Sequence, residues 1–299
     1  MRVLVVGNLV LDLVAWPVEK IRWDGTVWVE ELVRSVGGNG ANTSFAMARL
    51  GVDVALAGAV GRDAEGDELL RILGEAQVDV SRVKRLKLPT PTTMALVKRG
   101  GARAFVHRPG ASREALTKVV AMKGFSHLHV ANPFGVPALR TLAPDFLRKA
   151  RGLGMTTSMD TGWDSRAEWG KVVLPCLEHV DVLFLNEEEA KLITGAKSWK
   201  AALKLLPAQH VILKRGRRGA VVEGEVVKGY EVEAKDSTGA GDVFAGAFVA
   251  AWTRGYSLVE ATDFANASAA MSVGELGSIA GVRGFTETLR WKKARTAAK

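Results

Sequence analysis

The sequence has a single cysteine, Cys176, and no long hydrophobic run among its 299 residues. A lone cysteine excludes an internal disulfide framework and suits a reducing compartment, so we expect a cytoplasmic protein. The apolar runs, such as Val3 to Val6, are too short to span a bilayer. Met1 leads directly into a strand-like run without the pattern of a signal peptide, so we expect neither a membrane segment nor a secreted scaffold.

The composition is otherwise that of an ordinary globular protein, with 47% hydrophobic residues, 24% charged residues and a net charge of +9. The positive charge raises the question of a nucleic-acid partner. However, aromatic and basic residues are not interleaved as base stacking requires, and no nucleic-acid-binding module is recognisable. Positive charge also suits an enzyme whose ligands are polyphosphates. We therefore expect no nucleic-acid partner.

Regular alternation of strands and helices dominates the chain from about residue 114 onward. The strand patterns lie near 126–131, 155–160, 181–185 and 210–214. Such alternation predicts an α/β fold, a mostly parallel central sheet with helices on both faces, and we assign the whole chain, 1–299, to one such domain. The early strands do not fit this alternation. They predict a small separate β-sheet, placed as a lid over the cleft and formed by segments of approximately 12–36 and 83–110.

The most informative motif is DSTGAGDVFAG, which spans Asp236 to Gly246. The turn at Gly239, Ala240 and Gly241 exposes several backbone N–H groups, because its glycines tolerate unusual backbone angles. At the start of an apolar helix these groups form an anion site. We interpret the motif as phosphoryl-transfer machinery, in which the amides hold the phosphoryl group and Asp242 accepts a proton from the attacking hydroxyl. The alternative is an ordinary capped helix start.

A second glycine-rich motif, GGNGANTSFAMARLG, spans Gly37 to Gly51. Its glycines let the backbone approach a ligand closely, while Asn39 and Asn42 supply both hydrogen-bond donors and acceptors. Such groups suit a polyol rather than a phosphate. The motif is not a dinucleotide fingerprint, because Thr43 stands where the third glycine should be. The alternative is a helix start that Asn39 caps.

Two further groups of polar residues follow strands, where open α/β sheets bind ligands. Asp12, in GNLVLD, follows the first strand and is either an acceptor of hydroxyl hydrogen bonds or a solvated loop residue. Asn186 and Glu189, in FLNEEEA, lie at a strand-to-helix junction. They form a capping box there, and the same carboxylate can also organise Mg²⁺ near the phosphates of ATP.

In this order and at these separations, the GGNGAN…ARLG stretch, the NEEE helix start and DSTGAGDVFAG resemble the ribokinase-like (PfkB) carbohydrate kinase family. The resemblance covers essentially the whole chain. It implies a ribokinase-like three-layer sandwich with a small β-sheet lid. It also implies that Asp242 is the catalytic base and that Gly239, Ala240 and Gly241 form the anion hole.

The resemblance implies further roles for matching positions. The sugar hydroxyls would be bound by Asp12, Gly38, Asn39 and Asn42. The nucleotide would be bound by Asn186, Gly216, Gly219 and Asn266. Mg²⁺ would be supported by Asn186 and Glu189, and Asp236 falls where some members bind a monovalent cation, usually K⁺. Families of this kind often dimerise through the lid sheet, whose edges would otherwise be exposed, although the sequence leaves the oligomeric state open.

The sequence also departs from ribokinases proper. They have a second asparagine-and-aspartate pair in the first motif, where this chain has Val10 before Asp12. They also carry a glutamate after the strand that ends here in VANPF. Its nearest counterpart is Asn132, which we include among the substrate-binding residues. The loss of a hydroxyl acceptor argues against ribose itself as the substrate.

Three residues of a strand-like segment, Arg103, His107 and Arg108, offer a second clue to the acceptor. If they faced the cleft, they would suit an acidic or phosphorylated sugar. A solvated strand is the simpler explanation, because isolated surface charges are usually solvated.

We therefore predict an enzyme that uses ATP and Mg²⁺ to phosphorylate a hydroxyl, most simply a primary one, of a sugar or sugar-like alcohol. A nucleoside kinase shares this chemistry and stays open as an alternative. A non-catalytic sugar or nucleotide sensor is another, against which the intact Asp242 argues. The sequence does not name the sugar, because specificity depends on a few lid and loop side chains.

Overall fold

The structure is a computed structural model that describes residues 1–297. In chain order its strands are β1 (Arg2–Gly7), β2 (Val10–Trp16), β3 (Glu31–Gly37), β4 (Asp53–Gly61), β5 (Val78–Leu86), β6 (Thr92–Val97), β7 (Arg103–Arg108), β8 (His127–Ala131), β9 (Thr156–Asp160), β10 (Val182–Asn186), β11 (His210–Lys214), β12 (Ala220–Val222) and β13 (Glu225–Val227). Its α-helices are α1 (Asn39–Arg49), α2 (Ala64–Glu75), α3 (Leu139–Gly152), α4 (Trp169–Val173), α5 (Glu187–Thr194), α6 (Trp199–Leu203), α7 (Ala240–Trp252), α8 (Leu258–Ser272) and α9 (Phe285–Ala297).

The large sheet has the strand order β13-β12-β11-β10-β9-β8-β1-β4-β5. Its strands from β11 to β5 pair in parallel, while the short hairpin β12–β13 adds two antiparallel strands at one edge. The hairpin turns at Glu223 and Gly224, both with positive φ (50° and 84°), as a two-residue turn of this kind requires. The sequence prediction of a mostly parallel sheet is confirmed.

Helices cover both faces of the large sheet, as the side chains of β1 show. Leu4 and Val6 are buried in a core cluster with residues of α3, α4, α5 and α6. The alternate residues Val3 and Val5 are buried in a second cluster with residues of α1, α2, α7 and α8. Successive side chains of a strand point to opposite faces, so the continuous apolar run fills both cores. The domain is thus a three-layer α/β sandwich, as predicted.

The small sheet has the order β3-β2-β6-β7. β2 pairs with β3 in an antiparallel hairpin and with β6 in parallel, and β7 closes the sheet at its other edge. The sequence analysis placed residues from about 83 in this sheet, but β5 pairs with β4 at the edge of the large sheet. The helix α2 connects these parallel strands, so they form a βαβ unit. The second segment of the small sheet therefore begins at Thr92.

Close contacts between backbones bring β1, α1 and α7 together. A Cβ atom added to Gly7, the last residue of β1, would lie 2.8 Å from Cα of Gly40 in α1. Gly246 in α7 likewise lies against α1, because an added Cβ would lie 3.0 Å from the carbonyl oxygen of Thr43. Only glycine permits these approaches. As a result, the first turns of α1 and α7 meet beside the carboxyl ends of the strands.

None of the helices formed by residues 1–297 has the length and apolar character needed to cross a bilayer. The last two residues of the predicted 1–299 domain lie outside the described part of the chain.

Candidate active site

The start of α7 has the conformation that the glycine-rich motif predicts. Gly239 precedes the helix in a left-handed conformation (φ 73°), and a Cβ there would lie 2.4 Å from Cβ of Ser278. The position therefore needs glycine. Ala240 and Gly241 form the first turn, and the backbone N–H groups of Gly241 and Asp242 donate to no other group within residues 1–297. These free amides at a helix N-terminus form an anion-binding surface.

Asp242 follows this turn and is buried, with 5% of its surface exposed. Its two carboxylate oxygens accept separate hydrogen bonds from the second glycine-rich motif. The Nδ2 of Asn39 donates to Oδ1 at 2.8 Å, and the Nδ2 of Asn42 donates to Oδ2 at 2.8 Å. Both asparagines lie in the first turn of α1, so the two motifs that are about 200 positions apart in sequence form one site.

Burial raises the pKa of Asp242 to about 7. The charge of Asp160 raises it further, while the hydrogen bonds from Asn42 and Asn39 and the charge of Lys214 oppose the shift. A carboxyl group in this range exchanges its proton near neutral pH, where general bases work best. The environment of Asp242 therefore suits proton transfer better than a structural cap.

A second layer of hydrogen bonds orients the two asparagines. The Nδ2 of Asn132 donates to Oδ1 of Asn39 at 2.8 Å, and the hydroxyl of Ser278 shares its one proton between Oδ1 of Asn42 at 2.8 Å and the carbonyl oxygen of Val36 at 2.5 Å. An amide whose oxygen accepts a hydrogen bond must present its NH₂ group elsewhere. Both asparagines consequently direct their NH₂ groups at Asp242.

Asn132 is held in place from the other side. Its Oδ1 accepts hydrogen bonds from the backbone N–H groups of Phe134 (2.9 Å) and Gly135 (3.1 Å), and its backbone is left-handed (φ 64°). Both lone pairs of this oxygen are thus already used. The predicted role of Asn132 in binding substrate stays a prediction. In this structure the NH₂ group of Asn132 contacts Asn39.

Asp12 lies in the small sheet, on β2, and is buried with 6% of its surface exposed. Gly37 on the paired strand β3 leaves room for it, because an added Cβ would lie 2.1 Å from Oδ2 of Asp12. Burial raises the pKa of Asp12 to about 7, against a hydrogen bond from Thr93 of β6, and the charges of Asp236 and Asp242 add to the rise. The action of these charges indicates that Asp12 lies near the glycine-rich motif of Asp236 to Gly246.

Gly38, the residue before α1, has a positive φ of 85°. A Cβ there would lie 2.7 Å from the carbonyl oxygen of Asn8, so this position also needs glycine. The Oδ1 of Asn8 accepts a hydrogen bond of 3.0 Å from the backbone N–H of Asn39. These contacts fix the start of α1, from which Asn39 and Asn42 reach Asp242.

Asn186 and Glu189 form the predicted capping box at the start of α5. Oδ1 of Asn186 accepts from the backbone N–H of Glu189 at 2.9 Å, and Oε2 of Glu189 accepts from the backbone N–H of Asn186 at 2.8 Å. The same Oε2 accepts from the hydroxyl of Thr161 at 2.9 Å. Burial raises the pKa of Glu189, with Lys214 opposing the shift and Asp160 adding to it. Its other oxygen, Oε1, accepts no hydrogen bond from residues 1–297.

A buried ion pair completes the site, and sequence reasoning missed both of its members. Nζ of Lys214 lies 2.5 Å from Oδ2 of Asp160. Burial alone would lower the pKa of Lys214, but attraction to Asp160, Glu189 and Asp242 outweighs this effect and raises it. Asp160 ends β9 and Lys214 ends β11, so the rule that ligands bind at the carboxyl ends of parallel strands was the signal that could have identified them.

Three of the predicted nucleotide-binding residues, Gly216, Gly219 and Asn266, lie beside the end of β13. Gly216 and Gly219 bound a short turn after β11 with positive φ values of 58° and 84°. A Cβ at Gly219 would lie 2.0 Å from the carbonyl oxygen of Val227, so the turn packs tightly on β13. The Nδ2 of Asn266 in α8 donates to the carbonyl oxygens of Val227 and Lys228, both at 3.2 Å. Gly216, Gly219 and Asn266 form one wall of the cavity that is described next.

A cavity of about 780 Å³ connects these elements. Its lining includes the predicted residues Asn39, Asn186, Glu189, Gly216, Gly219, Gly239, Ala240, Gly241, Asp242 and Asn266, together with Asp160 and Lys214. Of the other predicted site residues, Asp12, Gly38, Asn42, Asn132 and Asp236 do not belong to the lining as described for residues 1–297. The volume lies in the range of about 300–1,000 Å³ that small-molecule and cofactor sites occupy. The cavity thus leads from the Asn266 wall to Asp242.

Asp236 is buried beneath the loop that precedes α7, with 1% of its surface exposed. Its Oδ1 accepts from the backbone N–H and the hydroxyl of Thr238, at 2.8 and 2.6 Å, and its Oδ2 accepts from the backbone N–H of Gly277 at 3.0 Å. The carboxylate therefore joins the glycine-rich loop to the segment after α8.

The three residues of β7 that sequence reasoning singled out have different environments. Arg103 lines the cavity, and its guanidinium donates to the hydroxyl of Ser237. Nδ1 of His107 lies 3.0 Å from the hydroxyl of Thr93, which also bonds Asp12. Arg108 donates to the carbonyl oxygen of Thr90 and the hydroxyl of Thr92. All residues of β7 are exposed, as the interpretation as a solvated strand predicts, and Arg103 lines the cavity in addition.

The fold and this site define a small-molecule phosphotransferase, and comparison with known proteins specifies the family. A family model described as pfkB family carbohydrate kinase matches residues 1–283. The chain therefore belongs to the pfkB family of carbohydrate kinases and is an ATP-dependent phosphotransferase that acts on an alcohol group.

Individual relatives differ in their substrates. The chain is 29% identical over 264 residues to an ATP-dependent ribose-1-phosphate kinase from Halopiger xanaduensis, with 85% of this chain and 86% of the relative covered. It is 30% identical over 254 residues to a nucleoside kinase from Methanothermobacter thermautotrophicus, with coverages of 81% and 79%. Family membership thus leaves the acceptor open.

Solved structures share the fold. A putative ribokinase II from E. coli has a TM-score of 0.87 at 22% identity, with 98% of this chain and 99% of that chain covered. A fructokinase from Vibrio cholerae O395 with fructose, ADP and a potassium ion bound has a TM-score of 0.82 at 23% identity, with 97% of both chains covered. At these identities the likeness shows the ribokinase fold.

Proposed function

We propose that the protein transfers the γ-phosphoryl group of ATP to a hydroxyl, most simply a primary one, of a sugar or sugar-like alcohol. The observation that carries this proposal is the position of Asp242. Its buried carboxylate is held by Asn39 and Asn42 directly beside the free amides at the start of α7, within a cavity that can accommodate a nucleotide. A base next to an anion hole is the arrangement that in-line phosphoryl transfer needs.

In this proposal the acceptor oxygen attacks the γ-phosphorus while the bond from that phosphorus to the bridging β–γ oxygen breaks. ADP leaves with the bridging oxygen, and the hydroxyl proton passes to the carboxylate of Asp242. The turn of Gly239, Ala240 and Gly241 would hold the charge that develops on the transferred group, chiefly through the free N–H of Gly241, because the N–H of Ala240 donates to the carbonyl oxygen of Ser237 at 3.4 Å. Lys214, whose Nζ would lie 3.2 Å from a Cβ at Gly241, adds positive charge on the same side.

We assign Mg²⁺ to the carboxylate of Glu189 and to Asn186. Glu189 lines the cavity with one oxygen that no residue of 1–297 occupies, and oxygen ligands suit this ion. Among the described residues no group of three or more histidine, cysteine or acidic side chains could hold a metal alone. A site completed by nucleotide phosphates and water is the usual arrangement for Mg²⁺, and the ion would neutralise phosphate charge there.

The nucleotide side of the proposal uses the wall formed by Gly216, Gly219 and Asn266. A monovalent cation, K⁺ by preference, is assigned to the loop around Asp236. Asp236 holds the segment after α8 through the backbone N–H of Gly277, and Ser278 of that segment packs against Gly239 and bonds Asn42. A cation there would stabilise the loop without touching the reacting atoms.

The acceptor side comprises Asp12, Gly38, Asn39, Asn42 and Asn132. Asp12 offers a buried carboxylate near the catalytic motif, which suits hydrogen bonds from hydroxyl groups of a polyol. The small sheet would act as the lid, with its strands β2 and β3 in the predicted segment of approximately 12–36 and its strands β6 and β7 in the part of the predicted segment 83–110 that begins at Thr92. Closure would exclude water from the phosphoryl group.

We also propose a homodimer that forms through the small sheet. The side chains of Leu32, Phe105 and Val106 on this sheet are exposed by 68%, 51% and 65%. A second copy of the chain would cover them and the exposed edge of the sheet. The proposed location of the protein is the cytoplasm, where ATP and a reducing environment suit an enzyme with one buried cysteine.

The test is an ADP-release assay with Mg²⁺-ATP and K⁺ across sugars, phosphosugars and nucleosides. Asp242→Asn is assayed in parallel. Asp67→Asn is the matched control, because Asp67 also lies in the first turn of a helix, α2, but is exposed and paired with Arg85. We expect an acceptor-dependent signal that Asp67→Asn retains and Asp242→Asn loses.

The result also distinguishes the alternatives. A signal only with nucleosides would replace the sugar acceptor by a nucleoside while leaving the chemistry unchanged. ATP binding without any turnover across the panel would support a sensor and contradict the proposed transfer.

A further inference from the structure

Arg103 occupies an unusual place for a surface arginine. It begins β7 directly after the turn at Gly100 and Gly101, so it sits at one end of the β6–β7 hairpin of the small sheet. From there its guanidinium reaches the hydroxyl of Ser237 in the glycine-rich loop before α7. A side chain of the small sheet thus contacts the loop that ends in Gly239 and Asp242.

The charge of Arg103 is not neutralised within residues 1–297, where it makes no ion pair. Its neighbour Arg99 on the same hairpin pairs with Glu30. Lys214 in the cavity pairs with Asp160, and Arg215 near the nucleotide wall pairs with Glu187. Arg103 therefore differs from these cations, because its only polar partner in the described chain is a neutral hydroxyl.

The cavity has room for an anionic ligand of the Arg103 guanidinium. Arg103 lines the same space as Gly239, Gly241 and Lys214, and Asp12 does not belong to that lining as described for residues 1–297. The anions that space would hold are the terminal phosphates of a nucleotide. A guanidinium binds phosphate with two parallel hydrogen bonds, which are stronger than one bond to a hydroxyl.

We propose that Arg103 is a phosphate-binding residue that the small sheet supplies to the terminal phosphates of ATP. It rests on the proposed function, because it requires that the cavity bind ATP. Nucleotide binding would move the guanidinium from Ser237 to a phosphate oxygen. The small sheet would then contact the nucleotide as well as the acceptor. Its closure would therefore depend on bound ATP.

The experiment measures nucleotide affinity by calorimetry, without turnover. The probes are Mg²⁺ with the β,γ-imido analogue of ATP, ADP and AMP, and the variants are Arg103→Gln and Arg103→Lys. We expect Arg103→Gln to weaken binding of the ATP analogue about 10- to 100-fold, the usual worth of a hydrogen-bonded charge. AMP affinity should stay within about twofold of the wild type, and Arg103→Lys should fall between the two, because lysine keeps the charge without the planar fork.

Arg99→Gln is the matched control, since Arg99 has the same charge on the same hairpin but is paired with Glu30 and does not line the cavity. Thermal melts of all variants exclude a general loss of folding. Unchanged analogue affinity in Arg103→Gln overturns the proposal. So does an effect restricted to the KM of a phosphorylated acceptor, which would place Arg103 on that substrate instead.

The two proposals fail in different ways. If the wild type binds the ATP analogue but phosphorylates no acceptor, the proposed reaction is wrong and the calorimetry still decides the role of Arg103. If the wild type binds no ATP analogue, the role proposed for Arg103 is wrong as well.

Discussion

Asp242 and Asp12 are both buried carboxyl groups whose pKa burial raises to about 7, yet their partners come from different parts of the molecule. Asp242 lies on α7 and is held by Asn39 and Asn42 of α1, both in the body formed by the large sheet. Asp12 lies on β2 and its partner Thr93 on β6, both in the small sheet.

The comparison suggests a division of tasks. The base is oriented within the rigid body before any ligand arrives, because its donors are themselves fixed by Asn132 and Ser278. Asp12, the proposed acceptor-binding carboxylate, belongs to the small sheet instead. Closure of the small sheet would therefore move the proposed recognition group and leave the proposed base in place.

The largest effect is expected at Asp242. Asp242→Asn or Asp242→Ala should lower kcat at least ~10²-fold, because neither side chain can take the acceptor proton. The fold should be retained, which circular dichroism and a thermal melt would check. Near-normal turnover in either variant, measured beside the Asp67→Asn control, would contradict the assignment of the base.

A smaller effect is expected at Asp12. Asp12→Asn should raise the KM of the acceptor about 10- to 100-fold, as loss of a charge-assisted hydrogen bond predicts, and leave the KM of ATP nearly unchanged. Because both carboxyl groups titrate near pH 7, log(kcat/KM) should fall below that pH with a slope approaching about 2 in the wild type and about 1 in Asp12→Asn. Equal slopes in the two proteins would show that Asp12 need not be ionised.

The sequence predicted the fold more fully than it predicted the contacts of Asp242 and Asp12. Strand–helix alternation was sufficient for the three-layer sandwich, because parallel strands and covering helices have strong local patterns. The small sheet was predicted from strands that broke the alternation, but β5 was misplaced since an exposed, charged edge strand resembles a lid strand. Residues in glycine-rich motifs were found because glycine marks unusual backbone.

The sequence places some residues at strand ends but does not show which of these ends meet. Lys214 and Asp160 belong to no motif, and they meet only because β9 and β11 flank β10 in the sheet. The direction of Arg103 depends on how the small sheet is set against α7. Such relations arise from tertiary packing, which local propensity does not encode.

An effect on activity below that at Asp12 is expected at Asn132, which we interpret as a positioning residue for Asn39. Asn132→Gly removes the side chain while allowing the left-handed backbone. Asn39 would then hold Asp242 less firmly, and the pKa of Asp242 should rise further because a hydrogen bond that lowers it is weakened. The acid limb of the kcat/KM profile should move to higher pH, with activity reduced about 10-fold at pH 6.5 and less at pH 8.5.

The KM of the acceptor distinguishes this role from direct substrate binding. An unchanged pH profile together with a raised acceptor KM would place Asn132 on the sugar, as the sequence analysis predicted, and would contradict the positioning role.

The last expected effect is on the free energy of unfolding rather than on activity, and it follows from the direction in which the pKa of Asp12 is shifted. The folded-state pKa of about 7 lies above the usual 3.8, so the favourable contribution of this group to folding is complete below about pH 4 and is lost as the pH rises to about 7. Asp12→Asn should therefore increase the free energy of unfolding above pH 7, by on the order of 4 kcal/mol, and change it little at pH 4. Denaturant titrations at pH 4 and 8 measure this, with Asp67→Asn as the exposed control.

A gain that appears only at pH 8 would mean that the protein keeps a charged carboxylate buried at Asp12 for its ligand rather than for its stability. An equal change at both pH values would show that burial does not hold the proton there, and the parallel with Asp242 would end.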